Sequence, residues 1–193
     1  MRGHGDLVRI GRTRDDAAGE AFDKVARILR LGFPGGPIIQ KTSEAGDRSR
    51  FKLARAWLKG TYDFSFSGVK TAVLRLVESF PENQVPVADI AAAFQESVAD
   101  VLSAKAAQAA EELGVAQVAL AGGVAANSAL REMIRERVRV PVLLPPLKFC
   151  TDNAAMVASA AHFRFAAGER SGLDVDVLAN WPIGSSPPAV MPH

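Results

Sequence analysis

The sequence contains a single cysteine and no apolar run that approaches the roughly 18 residues of a membrane span. Cys150 cannot form a disulfide within the chain, and such sparse use of cysteine is typical of proteins in a reducing compartment. The first residues, Met1 to Asp6, lack the apolar core of a secretory signal peptide. These absences predict a cytoplasmic protein with no membrane partner.

Several common catalytic motifs are also missing. The three histidines, His4, His162 and His193, are not paired at helical spacing, and without an H-E-x-x-H motif a zinc protease is not supported. Ser65 and Ser67 lie outside any G-x-S-x-G motif, and they are interpreted as strand and turn residues. The sequence has neither a P-loop nor a G-x-G-x-x-G dinucleotide fingerprint. No catalytic residue is therefore assigned from motifs alone.

What is present is the composition of an ordinary globular domain, with 48% hydrophobic and 23% charged residues among 193. The net charge is only +2, but residues 1–60 hold 13 Lys or Arg against 7 Asp or Glu. A basic first third would favour contact with the phosphates of RNA. A solvated charged face is the commoner explanation for charges this scattered, and it is the preferred interpretation.

Helical and strand patterns alternate along the chain. Apolar periodicity predicts helices over 15–31, 69–80, 86–113, 125–138 and about 152–167, and short strands over 62–67, 117–121 and 142–144. The segment Pro34-Gly35-Gly36-Pro37 is interpreted as a rigid loop with two flexible positions. Helices that alternate with short buried strands predict a layered α/β fold.

The clearest candidate site is the segment from Ala121 to Ser128. An apolar strand leads into Gly122-Gly123, and a helix follows. Glycine allows a ligand to approach the backbone, and the helix end offers free N–H groups to a nucleotide or phosphate. Asn127 is placed where it would either reach a ligand or cap the backbone. In an α/β fold, ligands usually bind at such strand ends.

Three further positions admit both a structural and a functional interpretation. Asp23 lies four residues before Arg27, which predicts a surface ion pair unless the carboxylate binds a ribose or base. Gly36 belongs either to a simple turn or to a backbone that a ligand approaches. Thr151, Asp152 and Asn153 are all ordinary helix caps, and Asp152 is alternatively a ligand of a divalent metal ion. The spacing alone does not decide between these alternatives, although it favours the ion pair for Asp23.

Taken together, five ordered motifs resemble one family. They are DDAAGEAFDK at 15–24, PGGP at 34–37, DFSFSGVKT at 63–71, AGGVAAN at 121–127 and CTDNAAM at 150–156. The motifs are similar to those of the bacterial tRNA N6-adenosine threonylcarbamoyltransferases, the TsaD or Gcp family. They extend over nearly the whole chain, so the resemblance is specific.

The resemblance implies an α/β fold that forms one lobe, the second half, of a two-lobed sugar kinase/Hsp70/actin-like (ASKHA) structure. Residues 1–183 would form this lobe, and 184–193 a flexible tail. The implied reaction transfers a threonylcarbamoyl group from threonylcarbamoyl-adenylate to N6 of the adenosine 3′ of the tRNA anticodon. The family pattern assigns adenylate contacts to Asp23, Gly36 and Asn127. It also makes Asp152 a ligand of an active-site iron or zinc ion.

The resemblance also carries expectations about partners and about departures from the family. TsaB-like and TsaE-like proteins are the implied partners, in addition to tRNA and the adenylate. Gln40 stands where the family commonly has an acidic residue, so that nucleotide contact is expected to differ. The chain begins where the family is nearly half finished, without the first lobe and its metal-binding histidine pair. It is therefore expected not to modify tRNA alone. The alternative is a non-catalytic lobe that binds a nucleotide or a partner.

Overall fold

The structure, a computed structural model, describes residues 1 and 3–173. The chain divides into two units, of which the larger is Gly11–Thr151. The other unit comprises Met1–Ile10 and Asp152–His193. The predicted lobe boundary at residue 183 and the predicted tail over 184–193 lie outside the described residues.

Helices dominate the larger unit. Its helices and strands, in chain order, are α1 (Ala18–Ile28), α2 (Gly35–Ser43), α3 (Ser67–Glu78), α4 (Val87–Glu112), β1 (Val118–Ala119), α5 (Ser128–Arg137) and β2 (Val142–Leu143), with single 3-10 turns at Glu82–Gln84, Gly123–Ala126 and Leu147–Phe149. The two strands pair in parallel, with Val118 opposite Val142. This arrangement confirms the predicted α/β class, although each strand is shorter than its apolar run.

The long helix α4 organises the core. It contacts α2, α3 and α5, and its Phe94 ring meets Phe22 of α1 edge-to-face at 5.0 Å between centroids. Both phenylalanines are buried, and burial of each stabilises the fold by about 1.5–3 kcal/mol. Farther along α4, Ala99 packs against Leu130 of α5. One helix therefore supports both the first helices and the strand–helix segment that follows it.

Two local predictions are wrong. The segment predicted as a rigid loop, Pro34–Pro37, instead begins α2, with Pro34 as the N-cap residue. Proline is tolerated in a first helical turn because the N–H that it lacks would have no partner within the helix. The predicted strand before Ser67 is reduced to one bridge between Thr13 and Phe64, because the segment that carries Thr13 leads directly into α1.

A buried lysine fixes the loop that precedes this bridge. Lys105 of α4 is only 1% exposed, and its ammonium group donates to the carbonyls of Leu58 and Thr61. The ammonium also lies 5.2 Å from the centroid of the Trp57 ring. Burial lowers the pKa of Lys105 below its ordinary value, and the nearby Asp63 carboxylate opposes that shift. We therefore define 57–61 as the Lys105-bound loop.

In the other unit, α6 (Ala154–Ala166) is the alanine-rich helix that the sequence predicts. Its N-cap is Asn153, whose Oδ1 accepts the N–H of Met156 at 3.0 Å. The helix therefore begins two residues after Asp152, so of the three candidate caps Asn153 is the one that caps it, and Asp152 is not the cap. Among the described residues, no helix is both long and apolar enough to cross a membrane.

Candidate functional site

The glycine pair Gly122-Gly123 joins β1 to a 3-10 turn and then to α5. Gly122 has a φ of +87°, a left-handed conformation that side-chain-bearing residues rarely adopt. A Cβ atom built on either glycine would meet no atom within 4 Å. The pair therefore borders open space, which is the access that a ligand needs.

The N-terminus of α5 offers fewer unbound N–H groups than its sequence predicts. Asn127 is the N-cap, and its Oδ1 accepts the N–H of Leu130 at 3.0 Å. The N–H of Ser128 donates to the Gln40 side chain at 2.8 Å. Two N–H groups predicted to be available are thus already bound within the protein. Capping by Asn127 is confirmed, and the space available to a ligand lies at the glycine pair.

The second glycine pair, Gly35-Gly36, begins α2. The Asp23 carboxylate accepts the N–H of Gly35 at 2.7 Å, so it holds the start of this helix. A Cβ on Gly35 would lie 2.5 Å from the carbonyl oxygen of Phe22, whereas a Cβ on Gly36 would meet nothing within 4 Å. Asp23 is thus engaged with α2, which departs from the surface pairing to Arg27 that spacing alone favours.

The elements that carry Asp23, Gly36 and Asn127 adjoin one another. Helix α1 contacts α2 through the Asp23–Gly35 bond, and it contacts the 3-10 turn after Gly122-Gly123. A Cβ on Gly19 of α1 would lie 3.6 Å from the side chain of Val124 in that turn. The structure therefore brings three of the four predicted site residues onto neighbouring elements of one unit.

Two polar residues that the motifs did not reveal, Gln95 and Ser43, link these elements. Gln95 of α4 accepts from the Nδ2 of Asn127 at 2.7 Å and donates to Ser43 of α2 at 2.9 Å. Both side chains are buried. A glutamine that directly follows the apolar run IAAAF at 90–94 of the predicted helix is the sequence signal that could have found this link.

Arg131, which the motifs also did not reveal, binds the 3-10 turn that follows Gly122. Its guanidinium donates to the carbonyl of Ala125 at 2.6 Å, to the carbonyl of Pro145 and to the Sγ of Cys150 at 3.3 Å. Five N–H donors in a rigid fork suit one arginine to such a bridge. Arg131 therefore fixes the turn after Gly123 to the segment that follows β2.

The motif around Asp15 and Asp16 is mainly architectural. Asp15 accepts the backbone N–H of Phe66 at 2.8 Å and the Ser65 hydroxyl, so it holds the start of α3. Burial raises the pKa of Asp15, but these hydrogen bonds outweigh it and keep that pKa below its ordinary value. Hydrogen bonding from Lys24 likewise lowers the pKa of Asp16. Two of the ordered motifs are thus in direct contact.

Asp152 lies in the other unit and is exposed. Over residues 1 and 3–173, no group of three or more His, Cys, Asp or Glu side chains is arranged to hold a metal ion. A catalytic metal usually takes about three protein ligands. The described residues therefore do not by themselves fit a metal centre, and Asp152 offers a single carboxylate.

Comparison with known proteins identifies the family. The model of the family "TsaD: tRNA N6-adenosine threonylcarbamoyltransferase" matches residues 1–159. A protein of that name from Thermomicrobium roseum is 55% identical over 204 residues, which cover 95% of this chain and 56% of the relative. One from Dehalococcoides mccartyi is 54% identical over 178 residues, covering 92% of this chain and 54% of the relative. The chain thus spans about half the length of these curated relatives.

A solved structure supports the fold. The crystal structure of T. kodakarensis HypF matches with a TM-score of 0.58 at 24% identity, over 79% of this chain and 20% of HypF. At that identity the likeness bears on the fold alone. The family match, by contrast, extends over most of the chain and includes Asp23, Gly36, Asn127 and Asp152. The chain belongs to the tRNA N6-adenosine threonylcarbamoyltransferase family.

Proposed function

We propose that this chain takes part in the synthesis of threonylcarbamoyladenosine in tRNA by holding the adenylate part of threonylcarbamoyl-adenylate. One observation carries the proposal: Gly36 at the start of α2 and the pair Gly122-Gly123 after β1 border open space, on elements that both contact α1, in a member of this family. Open backbone beside a helix N-terminus is a common nucleotide seat in α/β proteins.

Each predicted residue has a defined task in this proposal. The backbone at Gly36 and at Gly123 lets the nucleotide approach closely, because a Cβ would occupy that space. Asn127 has a second amide hydrogen beyond the one that it gives to Gln95, and it donates that hydrogen to the nucleotide. Asp23 keeps the α2 backbone at its place and presents its remaining lone pairs to the ribose or base.

The reaction is an acyl transfer. The N6 amine of the tRNA adenosine forms a bond to the carbamoyl carbon, the bond from that carbon to the phosphate oxygen breaks, and AMP leaves with the electron pair. The amine loses one proton. This chain's residues retain AMP and thereby orient the acyl group toward the amine, which makes the step effectively intramolecular. No covalent nucleophile is required.

The remaining family features extend the proposal beyond this unit. We assign Asp152 as one ligand of a divalent iron or zinc ion, with further ligands from outside the described residues. The lobe architecture is that of the sugar kinase/Hsp70/actin-like proteins. TsaB-like and TsaE-like proteins act with the enzyme in the cytoplasm.

The test is a chimera, because the chain spans only part of its relatives' length. The 193 residues replace the matching region of the Thermomicrobium roseum enzyme, and the chimera is incubated with threonylcarbamoyl-adenylate and unmodified tRNA. Mass spectrometry of the digested tRNA should detect threonylcarbamoyladenosine. Asn127→Ala should reduce its formation by at least about tenfold.

Two results contradict the proposal in different ways. A folded chimera that binds AMP yet forms no product would favour the alternative, a nucleotide-binding module without catalysis. A folded chimera that neither binds AMP nor forms product would exclude the nucleotide site itself. The unaltered relative, assayed in parallel, establishes that the substrates and tRNA are competent.

A further inference from the structure

We infer that Gln95 is a positioning residue for the nucleotide site, where it sets the orientation of Asn127 and its spacing from α2. The inference rests on the proposed function. It begins from a buried polar chain that joins α5, α4 and α2. Ser43, Gln95 and Asn127 are each no more than 9% exposed, and buried polar groups of this kind must find partners within the protein.

The direction of every hydrogen bond in this series of side chains follows from the one before it. The N–H of Leu130 can only donate, so the Oδ1 of Asn127 faces it at 3.0 Å. The Nδ2 of Asn127 must then face Gln95, whose Oε1 accepts at 2.7 Å. These two bonds leave Asn127 a single orientation of its amide group.

The chain continues from Gln95 to α2. With its Oε1 committed to Asn127, the Nε2 of Gln95 donates to the Ser43 hydroxyl at 2.9 Å. Ser43 in turn donates to the carbonyl of Gln40 at 2.7 Å. The Gln40 side chain accepts the N–H of Ser128 at 2.8 Å, which closes a ring back to the start of α5.

This ring joins the two elements that carry the proposed nucleotide contacts. Gly36 and Gln40 are one turn apart on α2, and Asn127 and Ser128 are adjacent at the start of α5. Gln95 is the only member of the ring on α4, and it bonds to both sides. Its amide therefore fixes which hydrogen of Asn127 remains for a ligand and how far that hydrogen lies from the Gly36 backbone.

A merely structural role for Gln95 makes a different prediction. Loss of a structural residue would weaken the whole fold, and its effect on nucleotide affinity would add to that of any other change. A positioning residue acts through Asn127, so its effect on nucleotide affinity should disappear once Asn127 is removed. A double-mutant cycle on AMP affinity separates the two.

The experiment measures AMP binding to the 193-residue chain by titration calorimetry, with CMP as a control ligand. Gln95→Leu removes both hydrogen bonds and is expected to raise the AMP dissociation constant about tenfold. Asn127→Ala should raise it by a similar factor, and the double variant by no more than either alone. Gln95→Glu keeps an acceptor toward Asn127 and should restore affinity to within about threefold of the original.

A matched control is available on the same helix. Gln108 of α4 donates to Glu112 on the exposed face, at 2.8 Å, and it does not belong to the ring. Gln108→Leu should leave the AMP dissociation constant unchanged. Thermal unfolding of each variant confirms that it is folded before its affinity is compared.

Four outcomes overturn the inference. Unchanged AMP affinity in folded Gln95→Leu, or additive effects in the double variant, would exclude positioning through Asn127 and leave the proposed function intact. An unaltered chain that binds no AMP would overturn both. Should Gln95→Leu fail to fold, Ser43→Ala removes only the hydroxyl that orients Gln95. It is expected to weaken AMP binding about threefold, and unchanged affinity there would also overturn the inference.

Discussion

The two glycine pairs of this chain both precede a helix, yet they are built differently: Gly35-Gly36 begins α2, whereas Gly122-Gly123 leads from β1 into the 3-10 turn before α5. At Gly35-Gly36 the first glycine touches the backbone of α1, where a Cβ would lie 2.5 Å from the Phe22 carbonyl oxygen. At Gly122-Gly123 the first glycine has free space around it but a left-handed φ of +87°. One pair is required by close packing and the other by backbone conformation. In both pairs the second glycine faces open space, and that shared feature points to a ligand.

The largest expected effect tests the packing requirement. Gly35→Ala places a methyl group against the backbone at Phe22 and Asp23, which cannot move without shifting α1. We expect the free energy of unfolding to fall by about 3 kcal/mol or more, as in severely overpacked cores. Urea denaturation measures this change. A loss below about 1 kcal/mol would show that the two helices separate easily and would remove the contrast between the pairs.

The second prediction concerns the ion pair that holds α5, the helix after Gly122-Gly123, against α4. Arg137 at the end of α5 and Arg55 both bind the Asp100 carboxylate of α4. Burial raises the pKa of Asp100, but the two guanidinium groups outweigh it and hold that pKa below its ordinary value. We expect Asp100→Asn to lower the free energy of unfolding at pH 7 by about 2 kcal/mol. Urea denaturation measures the difference.

The pH dependence of that difference has a definite sign. With its pKa depressed in the folded state, Asp100 binds fewer protons there than in the unfolded chain, so it stabilises the fold above the ordinary value of 3.8. That contribution is lost as the pH falls below 3.8 through the folded pKa. The difference in free energy of unfolding between the original chain and Asp100→Asn should be the same at pH 5 as at pH 7 and should decrease below pH 3.8. A difference that stays constant below pH 3.8 would contradict the stabilising role of the ionised Asp100 carboxylate. Glu44→Gln, at an exposed position, serves as the control.

A smaller effect tests the conformational requirement. Gly122→Ala adds a side chain where nothing obstructs it, so its cost is the left-handed backbone alone. We expect a loss of about 1–2 kcal/mol in the free energy of unfolding. Gly123→Ala, which lacks the positive φ, should change stability by less than about 0.5 kcal/mol. Equal losses in the two variants would mean that φ is not what distinguishes Gly122.

The smallest effect on stability is expected at Gly36, where it tests the feature that the pairs share. Gly36→Ala meets no atom of the protein, so the free energy of unfolding should change by less than about 0.5 kcal/mol. AMP affinity should nevertheless fall about tenfold, because the methyl group enters the space proposed for the nucleotide. Unchanged AMP binding in this variant would separate Gly36 from the site.

The sequence predicted this architecture best where a pattern is local. The periodicity of α4 and the order of strand, glycine pair and helix after it are local patterns, and both are confirmed, although α5 begins at Ser128 rather than at the predicted Ala125. The start of α2 was missed because it depends on Asp23, twelve residues earlier. Gln95 was missed because its partners, Ser43 and Asn127, are distant in the chain. The resemblance identified the family, but a ring of hydrogen bonds that crosses three helices has no signature in a linear motif.

The burial of Lys105 gives the Lys105-bound loop a chemical reporter. Acylating reagents modify lysine only as an exposed, neutral amine, and this ammonium lies inside the protein with its hydrogens bonded to carbonyls of 57–61. Its modification therefore requires that the loop first detach from α4. When acylation of the detached loop is faster than its return to α4, the labelling rate at Lys105 equals the rate at which the loop opens. Exposed lysines such as Lys59 are labelled without any such opening.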